Sequence, residues 1–265
     1  MKHTAACSDF LQDQWAERCR LPRLDADLPQ DAEWCEILED GRWRRLRFHD
    51  YGDIYDRPGL YEHLFYGLLG CDSPRRVVDL LRMVRHDGGM PRAFSALDLG
   101  AGNGLVGEEL REAGAESIVG IDILPEAKRA AQRDRPGLYR NYLVADLTRP
   151  ADDVIEELSR ARPEVLTCVA ALGFGDIPPL AYFNAVRFVP VGGLLAFNIK
   201  EEFLDERYTH GFSELVRRMV RDKVVRLEAQ VRYRHRQSVH GEALYYTAVV
   251  ATKLAEIPRA MLVRP

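Results

Sequence analysis

The chain has 265 residues, 46% of them hydrophobic and 29% charged, the composition of an ordinary globular protein with enough apolar material for a sizeable core. A formal charge of -4 argues against a nucleic-acid partner, because proteins that neutralise phosphate backbones carry a strong basic bias. Cys7, Cys19, Cys35, Cys71 and Cys168 are odd in number and contain no CxxC pair, which argues against a disulfide framework or a zinc knuckle. No apolar run approaches the roughly 18 residues of a membrane helix and the first twenty residues lack a signal sequence, so a soluble, cytoplasmic protein without a membrane partner is expected.

Helix and turn signals dominate before Pro91. Phe10 to Arg20 has the spacing of a short amphipathic helix, and Pro22 to Arg47 mixes Pro, Asp and Trp irregularly. Pro58 to Leu69 and Pro74 to Val84 each open with a helix-starting proline. Residues 1-90 are therefore expected to form an N-terminal helical cap and substrate lid. From Ala93 short apolar runs alternate with helical patterns in five successive units: AFSALDL and a helix from Leu105, SIVGID and PEAKRAAQRD, LYRNYLVAD and DDVIEELSR, EVLTCVAAL and PLAYFNAVRF, GGLLAFNIK and FSELVRRMV. That rhythm predicts an α/β fold with a doubly wound, mostly parallel sheet over residues 91-265. Val224 to Ser238 and Ala243 to Lys253 break it and read as an antiparallel hairpin turning at His240-Gly241-Glu242.

The segment from Leu97 to Gly107, LDLGAGNGLVG, runs from a strand end through a glycine-rich turn into a helix, where glycines permit unusual dihedrals and close ligand approach. Gly102, Gly104 and Gly107 match the dinucleotide fingerprint, so an NAD(P)-dependent reductase is one reading. Asp98 favours another: ahead of the turn its charge repels a pyrophosphate and suits an aminoacyl ammonium. Asp122 ends the next strand, where a carboxylate accepts both ribose hydroxyls, a device that NAD proteins share. Asp146 ends the third strand, placed to accept from an adenine amino group while Leu147 packs the ring. The candidate contacts are Asp98, Gly100, Ala101, Gly102, Asn103, Gly104, Leu105, Asp122, Ile123, Asp146, Leu147 and Ala170, all at expected strand ends or the turn between them. The plainer alternatives are a ligand-free turn and helix caps at Asp122 and Asp146.

ALDLGAGNG, IVGIDI, LVADLT, VLTCVAALGFGDIP and VGGLLAFNIK together resemble the successive motifs of class I S-adenosylmethionine-dependent methyltransferases over roughly residues 93 to 254. The resemblance implies a seven-stranded Rossmann-like methyltransferase sheet, S-adenosyl-L-methionine as cofactor and a small-molecule acceptor. HDYGDIYDRPG is similar to the family's tyrosine-containing N-terminal motif, which implies that Tyr51 and Tyr55 close over the methionine end; anchoring the cap is the alternative. LGAGNGLVGEEL, ALGFGDIPP and YRHRQSVHGEALYY resemble bacterial relatives of the methyltransferase-like protein from the Williams-Beuren syndrome region, although Pro163-Glu164 stands where many members carry an aromatic-Asp pair.

Alignment of an in-line displacement matters more than acid-base help, so no catalytic residue is assigned. Were the acceptor a hydroxyl, His49, Asp176, Lys200, Glu201 and His210 are the candidates for a base. No HxxxH or carboxylate cluster accompanies His235 or His240, so no metal is expected. RYRHR, Arg232 to Arg236, reads as the solvated basic face of a strand. A cofactor-binding protein that transfers nothing is the third reading, and the oligomeric state is left open.

Overall fold

The computed structural model describes residues 14–22, 28–172, 176–201 and 211–262. The N-terminal part begins with β1 (Cys19–Arg20), which pairs antiparallel with β2 (Trp34–Glu39); β2 pairs antiparallel with β3 (Arg42–Arg47). Asp40 and Gly41, with φ of 50° and 72°, form the two-residue turn between β2 and β3, a conformation that matches strand twist and that Asp-Gly tolerates. Then come α1 (Tyr51–Tyr55), α2 (Leu60–Glu62), a π-helical stretch His63–Leu68 and α3 (Ser73–Asp87). Two expectations change here. The described part of Phe10 to Arg20 is a turn and a strand rather than a helix, because the Leu38 N–H reaches the Arg18 carbonyl at 2.7 Å. The irregular Pro22 to Arg47 stretch holds a hairpin, so the cap combines helices with a small sheet.

The large sheet comprises β4 (Phe94–Leu99), β5 (Ala115–Asp122), β6 (Asn141–Val144), β7 (Val165–Cys168), β8 (Leu194–Lys200), β9 (Val225–Gln237) and β10 (Ala243–Lys253). Its order is β6-β5-β4-β7-β8-β10-β9, with β10 antiparallel to both its neighbours and the remaining pairs parallel. β7 and β8 are buried almost throughout, as strands covered on both faces must be. The helices between strands are α4 (Leu105–Glu112), α5 (Pro125–Asp134), α6 (Asp152–Ala161), α7 (Pro179–Val186) and α8 (Gly211–Arg221).

Alternation along β4 divides the core. Leu97 and Leu99 point to the layer of α6, α7 and α8 with Leu158, Tyr182 and Met219; Phe94 and Ala96 point to the layer of α3 and α4 with Val77, Leu81 and Leu110. Val77 and Leu81 are fully buried there, each worth about 1.5–3 kcal/mol of transferred apolar surface, so α3 belongs to the packing of the large sheet although it precedes residue 91.

The rest of the cap has its own core of Trp15, Ile37, Phe48, Ile54, Leu60, Leu64 and Leu69. It is tied to the β9–β10 hairpin by Glu33, whose buried carboxylate accepts from the Arg236 guanidinium and, at 2.7 Å, from the Val239 N–H. The expectation of a solvated basic face on Arg232 to Arg236 holds for Arg232 and Arg234 only. A bulge opposite Leu244/Tyr245 skips His235 in the pairing, so His235 and Arg236 both turn inward and Arg236 meets Glu33.

Candidate functional site

Strand order reverses at β4, and a crevice opens beyond the carboxyl ends of the strands on either side of such a point. A cavity of about 290 Å³ occupies it. Its floor is built from the sheet. The chain leaves β4 at Gly100 with φ of 71°, a left-handed conformation, and the Gly100 and Ala101 N–H groups bind the Ile121 carbonyl at 2.9 and 3.1 Å. A Cβ on Gly100 would stand 3.0 Å from the Ile177 side chain, so the backbone itself forms the wall there. The Asp122 carboxylate, at the end of β5, accepts the Gly102 N–H on one oxygen and the Leu124 N–H on the other, both at 3.0 Å. Burial pushes its pKa upward and these main-chain donors pull against that shift.

The opposite wall comes from the cap. Tyr51, Tyr55 and Tyr61 line the cavity, with ring centroids 6.2 Å apart for Tyr51–Tyr55 and 4.9 Å for Tyr55–Tyr61. Arg133 donates to the Tyr55 carbonyl at 3.0 Å and thereby fixes α1 against α5. His49, just before α1, faces Asp176 across the cavity edge at 3.4 Å. Ala170, after β7, takes φ of 57°, costly for a residue with a Cβ, and is held there by a 2.7 Å bond from its N–H to the Asn198 side chain.

Of the residues expected from sequence, Tyr51, Tyr55, Gly100, Asp122, Ile123, Asp146, Leu147 and Ala170 all line this cavity. Ile123 is 59% exposed and Leu147 buried. Asp146 is exposed; bonds from the Thr148 hydroxyl and N–H, each 2.8 Å, hold its pKa below the ordinary value.

Asp98, Ala101, Gly102, Asn103, Gly104 and Leu105 do not line it. Asp98 is wholly buried beneath the turn, accepting from Tyr139 at 2.8 Å and Thr167 at 2.9 Å, and burial raises its pKa to about 6. The ring of Tyr55 lies over Gly102, where a Cβ would come 2.5 Å from the tyrosine hydroxyl. The Asn103 amide donates to Glu62 at 2.9 Å and to Asp134 at 3.4 Å. Gly104 faces Arg135, Leu138 and Tyr139, and Leu105 begins α4.

Of the possible bases, His49 and Asp176 line the cavity and Lys200 and Glu201 do not; Glu201 pairs with Arg232, and His210 lies outside the described residues. His240 accepts the Leu28 N–H at 3.3 Å and is not among the residues that line the cavity. Among the described residues no group of three or more His, Cys, Asp or Glu is placed to hold a metal ion, and no helix is long and apolar enough to cross a membrane.

Sequence reasoning missed Tyr61, Glu62, Arg135, Tyr139 and Tyr142. The Tyr142 hydroxyl donates to the Gly102 carbonyl at 2.7 Å, and Arg135 binds Glu62 at 2.8 Å and the Asn103 carbonyl at 3.2 Å. The available signal was glycine: a Cβ at Gly107 or Gly120 would come within 2.6 or 2.9 Å of Tyr139, so both leave room for that ring.

No protein-family model and no curated protein matches the chain. Among solved structures it is similar to the N-methyltransferase NodS of Bradyrhizobium japonicum in complex with S-adenosylhomocysteine, at 16% identity and a TM-score of 0.52, over 78% of this chain and 97% of that one. It is also similar to an S-adenosylmethionine-dependent methyltransferase of Clostridium acetobutylicum, at 11% identity and a TM-score of 0.50, over 74% and 96% of the two chains. At such identity the likeness speaks for architecture, and with the strand order it establishes that this chain has the Rossmann-like methyltransferase fold.

Proposed function

We propose that the chain transfers the methyl group of S-adenosyl-L-methionine to a small-molecule acceptor. The observation that carries this reading is the Asp122 carboxylate, which lines the cavity while both its oxygens are fixed by main-chain N–H groups. Each oxygen retains acceptor capacity, the complement of a ribose diol. Beside it the exposed Ile123 is a platform for a purine ring, Leu147 packs that ring, and Asp146 accepts from its amino group. Gly100 admits the methionine end close to the backbone, under Tyr51 and Tyr55. The bound cofactor supplies a methyl group on a sulfonium, and the protein's part is to align it, close over it and keep water away. On this reading the part before α3 is the lid, and residues 91–265, with α3 packed against their sheet, form the body that binds the cofactor. The net charge of -4 and the aromatic cap over the cavity support a small acceptor over a polyanion.

The same observations weigh against a nicotinamide-dependent reductase. A pyrophosphate needs an open helix N-terminus, whereas Asn103, just before α4, is already engaged by the carboxylates of Glu62 and Asp134. The third glycine of the fingerprint, Gly107, makes room for Tyr139 instead.

Calorimetric titration with S-adenosylhomocysteine, and separately with NADH, tests the assignment. S-adenosylhomocysteine binds, and Asp122→Ala weakens it at least ~100-fold, since two hydrogen bonds to a charged group are worth about 1.5–3 kcal/mol each. NADH binding in its place, or an affinity untouched by Asp122→Ala, sinks the proposal. Binding without a methylated product over a broad acceptor panel leaves a protein that holds the cofactor and transfers nothing.

A further inference from the structure

A chain of buried hydrogen bonds joins α3, β9 and β8 to the cavity wall at Ala170, and the chemistry of its members fixes its direction. The Ala170 N–H can only donate, so the Asn198 atom 2.7 Å from it is Oδ1, and the Asn198 amide NH2 faces the Tyr233 hydroxyl at 2.6 Å. The Tyr233 oxygen accepts that bond, which turns its hydrogen to Ser73 Oγ at 2.7 Å. Ser73 then donates to His235 Nδ1 at 2.6 Å. Reversing the last two bonds leaves the buried Tyr233 hydrogen with no acceptor. Nδ1 is therefore the accepting nitrogen of His235, with Cys71 Sγ on the same side at 3.8 Å, and Nε2 carries the proton.

That Nε2–H has no partner among the described residues, although His235 is only 5% exposed and its ring lies on Tyr246 with centroids 4.1 Å apart. The atom is not sealed off, so the N–H opens into the cavity that His235 lines, a second chamber of about 40 Å³. This chamber shares His49, Tyr51, Tyr61, Ala170 and Asp176 with the larger cavity and borders directly on it. Burial, and the charge of Arg236 beside it, hold the His235 pKa well below the ordinary value, so the imidazole stays neutral. The Arg236 guanidinium is paired with Glu33, and Asp176 adds a carboxylate to the lining. An anionic group entering the chamber thus meets no unpaired cation, whereas an uncharged oxygen meets a donor already in place. A carbonyl oxygen satisfies that donor and brings no hydrogen that must be answered in turn. The chamber admits such a group and its neighbouring atoms but not a whole ring, so the rest of the molecule extends past Tyr51 and Tyr61.

We infer that this chamber is the recognition end of the methyl-acceptor site and that His235, through Nε2–H, binds an uncharged carbonyl oxygen of the acceptor. The inference rests on the reading of the larger cavity as the S-adenosylmethionine site. Ser73, Tyr233 and Asn198 touch no ligand and are positioning residues. They fix the tautomer of His235, and because their chain ends on the Ala170 N–H they tie that donor to a residue that lines both cavities.

Benzamide is the probe, with benzoate and benzyl alcohol as its anionic and hydroxyl counterparts. In nitrogen–proton correlation spectra of the histidine rings, His235 shows a proton on Nε2 and none on Nδ1. In protein saturated with S-adenosylhomocysteine, benzamide moves the His235 Nε2–H resonance and binds about tenfold tighter than either counterpart, without displacing S-adenosylhomocysteine. His235→Asn keeps an acceptor for Ser73 but reaches nothing at the Nε2 position; it weakens benzamide about tenfold, the cost of one neutral hydrogen bond, and leaves S-adenosylhomocysteine affinity unchanged. His235→Gln, whose amide reaches the Nε2 position, stays within about threefold of wild type. A proton on Nδ1, an Nε2–H resonance indifferent to benzamide, equal affinity for the three probes or equal losses in the two variants overturns the inference. Displacement of S-adenosylhomocysteine by benzamide assigns the chamber to the cofactor and overturns it too. Without S-adenosylhomocysteine binding the cofactor reading falls, and benzamide titrated alone against the same resonance shows whether the carbonyl site stands or falls with it.

Discussion

The two walls of the cavity are built on different terms. The sheet wall offers main-chain groups and carboxylates fixed by main-chain groups: Gly100 and Ala101 bound to the Ile121 carbonyl, and Asp122 gripped from both sides. The cap wall offers rings on a short helix and the loop around it, and the cap meets the rest of the molecule through polar tethers, among them Glu33 to Arg236, Arg133 to the Tyr55 carbonyl, and Glu62 to Asn103 and Arg135, and through apolar contacts such as Tyr55 with Ala127, Ala130 and Ala131. A wall made of backbone is positioned as accurately as the sheet. A wall made of side chains is only as well placed as the contacts behind it, so the sheet wall is suited to recognise a ligand and the cap wall to cover it.

The largest effect expected from breaking this division is at Glu33. Glu33→Ala leaves the Arg236 guanidinium buried without its counter-ion and orphans the Val239 N–H, which together cost about 3–5 kcal/mol. Urea unfolding measures the loss. The double variant Glu33→Met with Arg236→Met recovers most of it, because an apolar pair of similar volume carries no unpaired charge. A cost under about 1 kcal/mol for Glu33→Ala means that the cap is held by its apolar contacts and the tether is incidental.

The next effect contrasts two carboxylates of the same wall. Asp122 faces the cavity, whereas Asp98 is sealed beneath it, and burial raises the Asp98 pKa from the ordinary 3.8 to about 6. The folded protein thus keeps a proton there that the unfolded chain gives up, so stability is full below pH ~4 and declines as the pH rises through about 6. The gap corresponds to ~3 kcal/mol. Asp98→Asn keeps the shape and removes the titration, so unfolding free energies of the two proteins, measured from pH 4 to 7, diverge in favour of the variant as the pH rises. A difference that stays constant over that window rules out Asp98 as a buried titrating group.

The sequence foretold these features unevenly, for physical reasons. β4 through β10 and their helices follow from local periodicity, because apolar runs buried on both faces and one-sided helices carry their environment in their own residues. β1 and β3 carry no such pattern: Cys19–Arg20 is a strand because of a partner in Trp34–Glu39, and Arg42–Arg47 exposes nearly every side chain. Asp40-Gly41 was nonetheless a hairpin signal in plain view. At the site, Asp122 and Asp146 could be read from position alone, since a residue at the end of a parallel strand faces the crevice. The sealing of Asp98 could not, because Tyr139 and Thr167 reach it from elsewhere in the chain. Gly107 matched one ligand's fingerprint while serving a tyrosine.

Tyr55 sharpens the contrast between the walls with the smallest effect. It is the cap residue nearest the glycine turn, its hydroxyl just where a Cβ on Gly102 would intrude, and its ring packs on Tyr61 at 4.9 Å. If the cap's contribution is the covering surface of its rings, Tyr55→Phe retains that surface and changes S-adenosylhomocysteine affinity by less than about threefold. Tyr55→Ala opens the wall and costs about tenfold, the upper end of what one aromatic contact supplies. Calorimetry on both variants distinguishes the roles of ring and hydroxyl. A loss in Tyr55→Phe equal to that in Tyr55→Ala makes the hydroxyl a recognition group and moves Tyr55 from the covering wall to the recognising one. Unchanged affinity in Tyr55→Ala means that the sheet wall alone supplies the binding and that the cap acts only on the acceptor's side.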